Sequence, residues 1–234
     1  MKYKVKISRG AFATILMNGL ETFLLPMKNA VRKGNYELAK GHEIFGYIFG
    51  TWKRNEKPDR VTYKVDYVNF DATARTTQDS VEYIPHAREL KEAVATMVNL
   101  DMTLLGNIHT HPYRLLKNKT YTDEFFPDMY RPTPADEKSS GWWDFQLDLI
   151  LTVVNAQKAL TLPSQYAETN CENCIQFNID NIRFFLAAYV RRGSNKFKYV
   201  PFIEVKLLRP EGMGKTAKQL DIDEELKEEL FKIK

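Results

Sequence analysis

The run Met102-Thr103-Leu104-Leu105-Gly106-Asn107-Ile108 leads into His109-Thr110-His111-Pro112. It is apolar enough for a buried strand, and a strand of that kind dictates what must surround it. Side chains at i and i+2 of a strand leave from one face. His109 and His111, two of only four histidines in the chain, therefore share a face and can reach one point in space. Pro112 cannot continue a central ladder, so the strand is expected to stop there with the pair at its mouth. Two neutral imidazoles at a strand end are half of a tetrahedral zinc site. At this point a pair satisfied by hydrogen bonds is the plainer reading.

The chain has 234 residues, enough for one large domain or a domain with insertions. A hydrophobic share of 44% and a charged share of 27% describe an ordinary globule. The 34 basic and 30 acidic residues leave a net charge of +4, too balanced to argue for nucleic acid. No apolar run reaches the ~20 residues that span a bilayer. The first residues, Met1 to Ile7, alternate charge with apolar groups and have no signal-peptide core, so a cytoplasmic protein is expected. Cys171 and Cys174 form a single C-x-x-C. A structural zinc there would need two further ligands, and reduced thiols near a turn are the plainer reading.

Residues 3–7 alternate and predict a first strand. Ile15, Leu16, Leu20, Phe23 and Leu24 recur at helical spacing, predicting a helix over 10–25 ended by Pro26. The basic segment 27–40 fits a helix extension or a loop. Gly41 to Gly50 is an apolar, β-rich run carrying one carboxylate. Ile44, Gly46, Ile48 and Gly50 share one face, and Glu43, Phe45, Tyr47 and Phe49 the other. Glycines inside a strand weaken it unless something must approach the backbone. Glu43 stands either at the strand's wet end or in a site. Residues 61–70 alternate as a strand, and 71–83 read as a loop. Pro85 opens a helix to about Leu100, with Leu90, Val94, Met97 and Val98 expected against a sheet. The aromatic, charged stretch 113–131 sustains no period and reads as a flap or a partner-binding loop. Arg131 to Glu137 is a helix start, with Thr133 as N-cap, Pro134 at N1 and Asp136 at N3. Capping alone accounts for those residues. Residues 145–154 predict a strong strand, 156–174 are irregular, and 183–190 with 197–207 read as a hairpin. Ile222, Leu226, Leu230 and Ile233 suit a short charged helix in the tail.

A catalytic zinc needs three protein ligands and an open position for water. His109 and His111 can supply two nitrogens and Asp136 an oxygen. Glu43 is the candidate to take a proton from that water and hand it to a leaving amine. Thr133, one helical turn before Asp136, is the candidate oxyanion donor.

The set resembles the JAMM motif of the MPN+ (JAB) metalloprotease family. Glu43, Gly46 and Gly50 match E-x-x-G-x-x-x-G. His109-Thr110-His111-Pro112 matches the histidine pair, and Thr133-Pro134-Ala135-Asp136 matches S/T-x-x-D, in the family's order and within about residues 3–155. Two departures stand out. Threonine replaces the usual serine, and the interval from His111 to Asp136 is far longer than in the usual H-x-H-x(7)-S-x-x-D. Closing the longer loop costs only about 1 kcal/mol more than a short one.

The resemblance implies an α/β (α+β) fold, an MPN/JAB-like, cytidine-deaminase-like mixed β-sheet flanked by helices. The domain would cover 1–208 with an insertion at about 113–131, followed by a tail over 209–234. It implies one Zn2+ per chain on His109, His111 and Asp136, with Glu43 as general acid/base and Thr133 steadying the tetrahedral intermediate. Some relatives carry a second zinc in a later insertion, and Cys171 and Cys174 lack the histidines for it. The implied activity is cleavage of a peptide or isopeptide bond at the C-terminus of ubiquitin or a ubiquitin-like protein. The substrate's tail would lie beside the histidine strand by β-addition. No nucleic acid or membrane is expected as a partner. A partner subunit could dock on the 113–131 flap or the C-terminal helix. The alternative is a non-catalytic MPN-like assembly or binding subunit.

Overall fold

A computed structural model of the chain describes residues 1–25, 27–30, 36–39, 41–56, 59–72, 74–76, 81–82, 85–98, 101–113, 129–138, 146–155, 167–168, 172–179, 182–191, 202–208 and 210. The strand β1 (Lys2–Ile7) buries Tyr3, Val5 and Ile7, as its alternation requires. Ser8 caps the helix α1 (Arg9–Leu24), its Oγ accepting the Ala11 N–H at 3.2 Å. Within the basic segment that follows there is neither helix nor loop alone: β2 (Met27–Ala30) and β3 (Tyr36–Ala39) pair antiparallel.

The main sheet is built from β4 (Phe45–Asn55), β5 (Arg60–Phe70), β8 (Thr103–Tyr113), β9 (Gln146–Asn155), β10 (Ala167–Glu168), β11 (Cys174–Ile179), β12 (Ile182–Arg191), β13 (Phe202–Glu204) and β14 (Lys206–Leu207), together with β1. Its order is β10-β11-β12-β9-β8-β4-β5-β1-β14, with β13 on β12. Two-residue strands β6 (Arg75–Thr76) and β7 (Val81–Glu82) form a separate ladder inside the segment read as a loop. Among the described residues the helices with assigned bounds are α1, α2 (Pro85–Met97) and the one-turn α3 (Pro134–Lys138).

This corrects the expected fold class. The chain is not an MPN/JAB-like α/β sheet flanked by helices. Strands dominate the described residues, and the sheet curls until its ends nearly meet. Residues 202–207 do the closing: β13 pairs with β12 while β14 pairs with β1. Val205 N–H donates to the Ala188 carbonyl at 3.1 Å and Leu207 N–H to the Glu172 carbonyl at 2.9 Å. The result is barrel-like. Closure satisfies backbone groups that an open sheet would leave at its edges. The physical reason is the second half of the chain. It holds β9, β11 and β12, three apolar strands in succession, where a flanked sheet would need amphipathic helices.

One face of the curled sheet packs on α1. Val5, Phe12, Ile15, Phe23, Ile48, Val65, Ile108, Leu149, Leu151 and Phe184 belong to that core. Gly19 lets α1 come close, since a Cβ there would strike the Leu151 side chain. The opposite face carries two smaller clusters. One holds Phe45, Tyr47, Phe49 and Ala95. The other holds Met129, Tyr130, Ile150, Val154, Phe185 and Tyr189.

Three local expectations also change. Strand β8 runs through Pro112 to Tyr113, paired with Val153 and Val154 of β9. Its β4 ladder ends at the Phe45–His109 pair, so the proline sits on a single-sided stretch, where it is tolerated. Along 106–109 the histidine strand is flanked by β4 and β9, so a substrate tail cannot add beside it there. The helix α2 exposes Leu90, Val94, Met97 and Val98 instead of burying them. It docks through Ala95, which is buried, and through Lys91, which bonds the Asn69 Oδ1 and lies 5.5 Å from the Tyr47 ring centre. Most of the 113–131 flap, Cys171 and the expected tail helix lie outside the described residues. Cys174 opens β11 and is buried, its thiol donating to the Ile175 carbonyl at 3.8 Å. Among the described residues no helix is long and apolar enough to cross a membrane.

The strand glycines have steric reasons. The ladders shift register at Phe49/Gly50 against β5 and at Ile48/Phe49 against β8. A Cβ on Gly50 would run into the Lys64 carbonyl, and one on Gly106 into the Leu147 carbonyl. Gly106→Ala is expected to cost about 3 kcal/mol or more, because backbone and not a mobile side chain must move. Gly10→Ala, where a Cβ meets nothing within 4 Å, is expected to be neutral or slightly stabilising within α1. Urea unfolding of the two variants checks this.

Candidate metal centre

Strand periodicity does the first half of the assembly. Antiparallel pairing sets Phe45 opposite His109 and Tyr47 opposite Asn107. Parallel pairing sets His109 beside Ile150 and His111 beside Thr152. Asn107, His109 and His111 thus share the face opposite α1. Thr110 points the other way and is buried, its Oγ1 accepting the Ile44 N–H at 2.9 Å while its own N–H donates to the Ile44 carbonyl at 3.1 Å. This doubled contact carries the β4–β8 register one step past the ladder. Glu43 stands one residue before Ile44 and two before β4 begins.

The third group arrives from α3. Thr133 is its N-cap. The Thr133 Oγ1 accepts the Asp136 N–H at 3.2 Å, and the Thr133 N–H and Oγ1–H donate to Asp136 Oδ2 at 2.7 and 2.8 Å. This is a capping box with Asp at N3. It locks the Asp136 carboxylate in one orientation. The hydroxyl proton of Thr133 is thereby committed to Asp136, so the expected oxyanion role gives way to that of holding the carboxylate.

Three side chains then converge. The His109 and His111 Nε2 atoms are 3.0 Å apart. Asp136 Oδ1 lies 3.2 Å from His109 Nε2, and Oδ2 lies 3.3 Å from His111 Nε2. The His111 side chain is 4% exposed, His109 13% and Asp136 20%, so the cluster opens to solvent on one side. Burial pushes the Asp136 carboxyl up. Hydrogen bonds from His109 and His111, with the charges of both rings, more than reverse this and hold it well below the ordinary carboxylate range. The group can hold a metal ion: two imidazole nitrogens and one carboxylate oxygen lie within 4.8 Å of one another.

The structure brings together His109, His111 and Asp136 as the sequence suggests, while Glu43 stands two residues ahead of β4. Asp123, Asp128 and Asp144, the other aspartates near Asp136 in the sequence, lie outside the described residues. Sequence reasoning missed a second set beneath the cluster. Asp148 on β9 is buried, accepts from Arg191 Nε at 2.8 Å and from Gln146 Nε2 at 3.2 Å. Burial raises the Asp148 carboxyl above its ordinary value, while the Arg191 guanidinium and the His109 charge pull the other way. The only sequence signal was a charge in each of two apolar strands, Asp148 in β9 and Arg191 at the end of β12.

No family model matches the chain, and no curated protein matches it. Among solved structures it is similar to the solution structure of protein DSY2949 from Desulfitobacterium hafniense, with 17% identity over 88% of this chain and 95% of that one, at a TM-score of 0.40. At that score the likeness decides neither fold nor function.

Purified chain is expected to carry a single divalent ion, lost in His109→Ala and in Asp136→Ala, as read by elemental analysis. Thr133→Ala is expected to weaken metal binding and to cost about 1 kcal/mol through loss of the cap. Thr133→Ser should retain both.

Proposed function

We propose that the chain is a zinc-dependent hydrolase of peptide or isopeptide bonds, with chemistry of the JAMM type. The observation that carries this is the His109–His111–Asp136 triangle. A tetrahedral zinc with bonds of about 2.0–2.1 Å keeps its ligand atoms about 3.3 Å apart; here the two Nε2 atoms are 3.0 Å apart, and Asp136 brings Oδ1 to 3.2 Å from His109 and Oδ2 to 3.3 Å from His111. Nitrogen and carboxylate donors suit zinc, and a three-ligand set with one exposed side suits a catalytic rather than a structural ion. Zinc held there would bring the pKa of a water towards neutrality.

The chain's own residues supply the rest. His109 and His111 present lone pairs from a rigid central strand, which costs little ordering on binding. Asp136 is presented by its cap. Glu43, just ahead of β4, takes the proton of the attacking water and returns it to the departing amine, so acid and base work fall on one carboxylate. The substrate class that goes with the motif resemblance is the C-terminus of ubiquitin or a ubiquitin-like protein.

A second reading, a binding or assembly subunit with little activity of its own, is favoured by α2. Leu90, Val94, Met97 and Val98 expose an apolar strip on that helix, and strips of this kind mark contact surfaces.

The two readings part on Glu43→Gln. A hydrolase keeps its zinc in this variant and loses about a hundredfold or more in turnover of a ubiquitin-like fusion or a lysine-linked conjugate. Wild-type chain with full zinc and no turnover of any fusion, conjugate or short peptide would favour the binding subunit.

A further inference from the structure

Asp136 stands 25 positions beyond His111 in the sequence. Three side chains from β9 and β12 hydrogen-bond to the backbone between Met129 and Asp136. Thr152 Oγ1–H donates to the Met129 carbonyl at 2.9 Å. Tyr189 O–H donates to the Tyr130 carbonyl at 2.9 Å. Arg191 Nη2–H donates to the carbonyl of Asp136 itself at 3.2 Å. All three donors belong to buried residues of the face that carries His109 and His111.

From this geometry we infer that Arg191 is the positioning residue of the centre, clamping Asp136 to the histidine pair, with Asp148 holding Arg191 in place. The inference rests on the metal-site reading for its functional consequence, but the clamp itself is a property of the chain alone. Arg191 has a planar fork with donors on more than one nitrogen, so a single side chain can serve two acceptors. Its Nε is spent on Asp148 and its Nη2 on Asp136. Asp148 is in turn braced by Gln146 at 3.2 Å. The chain of contacts runs from the β9–β12 pair directly to a candidate ligand. Lysine, a single point charge, can replace the pairing with Asp148 but not both directions at once.

The clamp also explains why a long interval between His111 and Asp136 is compatible with the triangle. In a short connection the chain itself would limit where the carboxylate can go. Here a buried side chain two strands away from β8 does so.

The test uses full-length chain, wild type and Arg191→Lys, with two readouts. The first is Co2+ binding, titrated against a chelator, with the visible d–d band as the signature of tetrahedral coordination. The second is amide hydrogen exchange at Asp136 to Lys138 in metal-free protein. Arg191→Lys is expected to weaken Co2+ binding by about ten- to a hundredfold, the usual effect of losing an outer-shell partner, and to dim the band. It is also expected to speed exchange in α3 by about tenfold, as for a lost hydrogen bond to a charged donor, while exchange in β1 and β5 stays unchanged. Unchanged Co2+ affinity with unchanged α3 exchange would overturn the inference. If wild type binds no Co2+ in a tetrahedral site, the proposed function fails, and α3 exchange alone decides the clamp. If Arg191→Lys does not fold, the double variant Asp148→Asn, Arg191→Gln, which leaves no unpaired buried charge, takes its place under the same criteria.

Discussion

Everything at the candidate centre hangs on the register of one strand. β8 is paired antiparallel to β4 and parallel to β9, and its faces are assigned by a period of two. A slip of one residue against either neighbour would send His109 and His111 into the α1-facing core and turn Ile108 and Thr110 outward. The register is therefore guarded twice. Ile108 is fully buried among the α1-facing apolar residues, so its burial opposes the slip on one face. Thr110 is bonded to the Ile44 backbone through both its N–H and its Oγ1, which pins the strand just where the imidazoles begin. The irregularity near Gly106 belongs to the same device. It lets Leu105 and Ile108 both join the core, which an uninterrupted alternation would forbid.

What was legible in the sequence was local. The shared face of His109 and His111, the split of Phe45, Tyr47 and Phe49 from Ile48, and the Thr133 cap with Asp136 at N3 all follow from periods and capping rules that act within a few residues. What was not legible was closure. Alternation in 202–207 announces a strand without saying that it bridges β12 and β1. The residues around Ile175 and Phe177 alternate as well, yet sit beside a C-x-x-C in a stretch that reads as irregular. The expectation of helices flanking a sheet came with the motif resemblance, and nothing in the apolar β9, β11 and β12 strands called for helices. On α2 the period was right and the inference from it was wrong. Ala95 is its buried contact and Lys91 bonds Asn69, while the long apolar side chains at positions 90, 94, 97 and 98 stay exposed, Leu90 and Val94 lining a cleft beside Phe49 and Tyr67 of the sheet.

Magnitudes explain how such a centre tolerates a long interval in the sequence. Loop-closure entropy grows only logarithmically, so lengthening a connection several-fold costs about 1 kcal/mol. A single net hydrogen bond contributes on the order of 1 kcal/mol, and one to a charged donor somewhat more. The three bonds from Thr152, Tyr189 and Arg191 to the 129–136 backbone are together enough to offset the longer loop. Apolar burial of Met129 and Tyr130 against Ile150, Phe185 and Tyr189 adds to them. The position of Asp136 is thus decided by long-range packing, while its orientation is decided by Thr133 three residues away.

Separating position from orientation also bears on how a JAMM-like set of side chains can stand on a sheet that is not the expected one. Chemistry of this kind asks for two imidazole nitrogens, a carboxylate held at a fixed angle and a second carboxylate across the opening. It does not ask for helices on both sides of the sheet. A central strand gives the first requirement and a capping box the second, while Glu43, proposed for the third, precedes β4 by two residues. Each is a short-range device that can be grafted wherever a buried strand ends near a helix start. The part that cannot be grafted is the support beneath. A buried Asp148–Arg191 pair is costly to desolvate and gains little stability for the fold over apolar residues of the same volume. Its presence under the histidines is therefore better accounted for by what Arg191 holds than by what the pair contributes to folding.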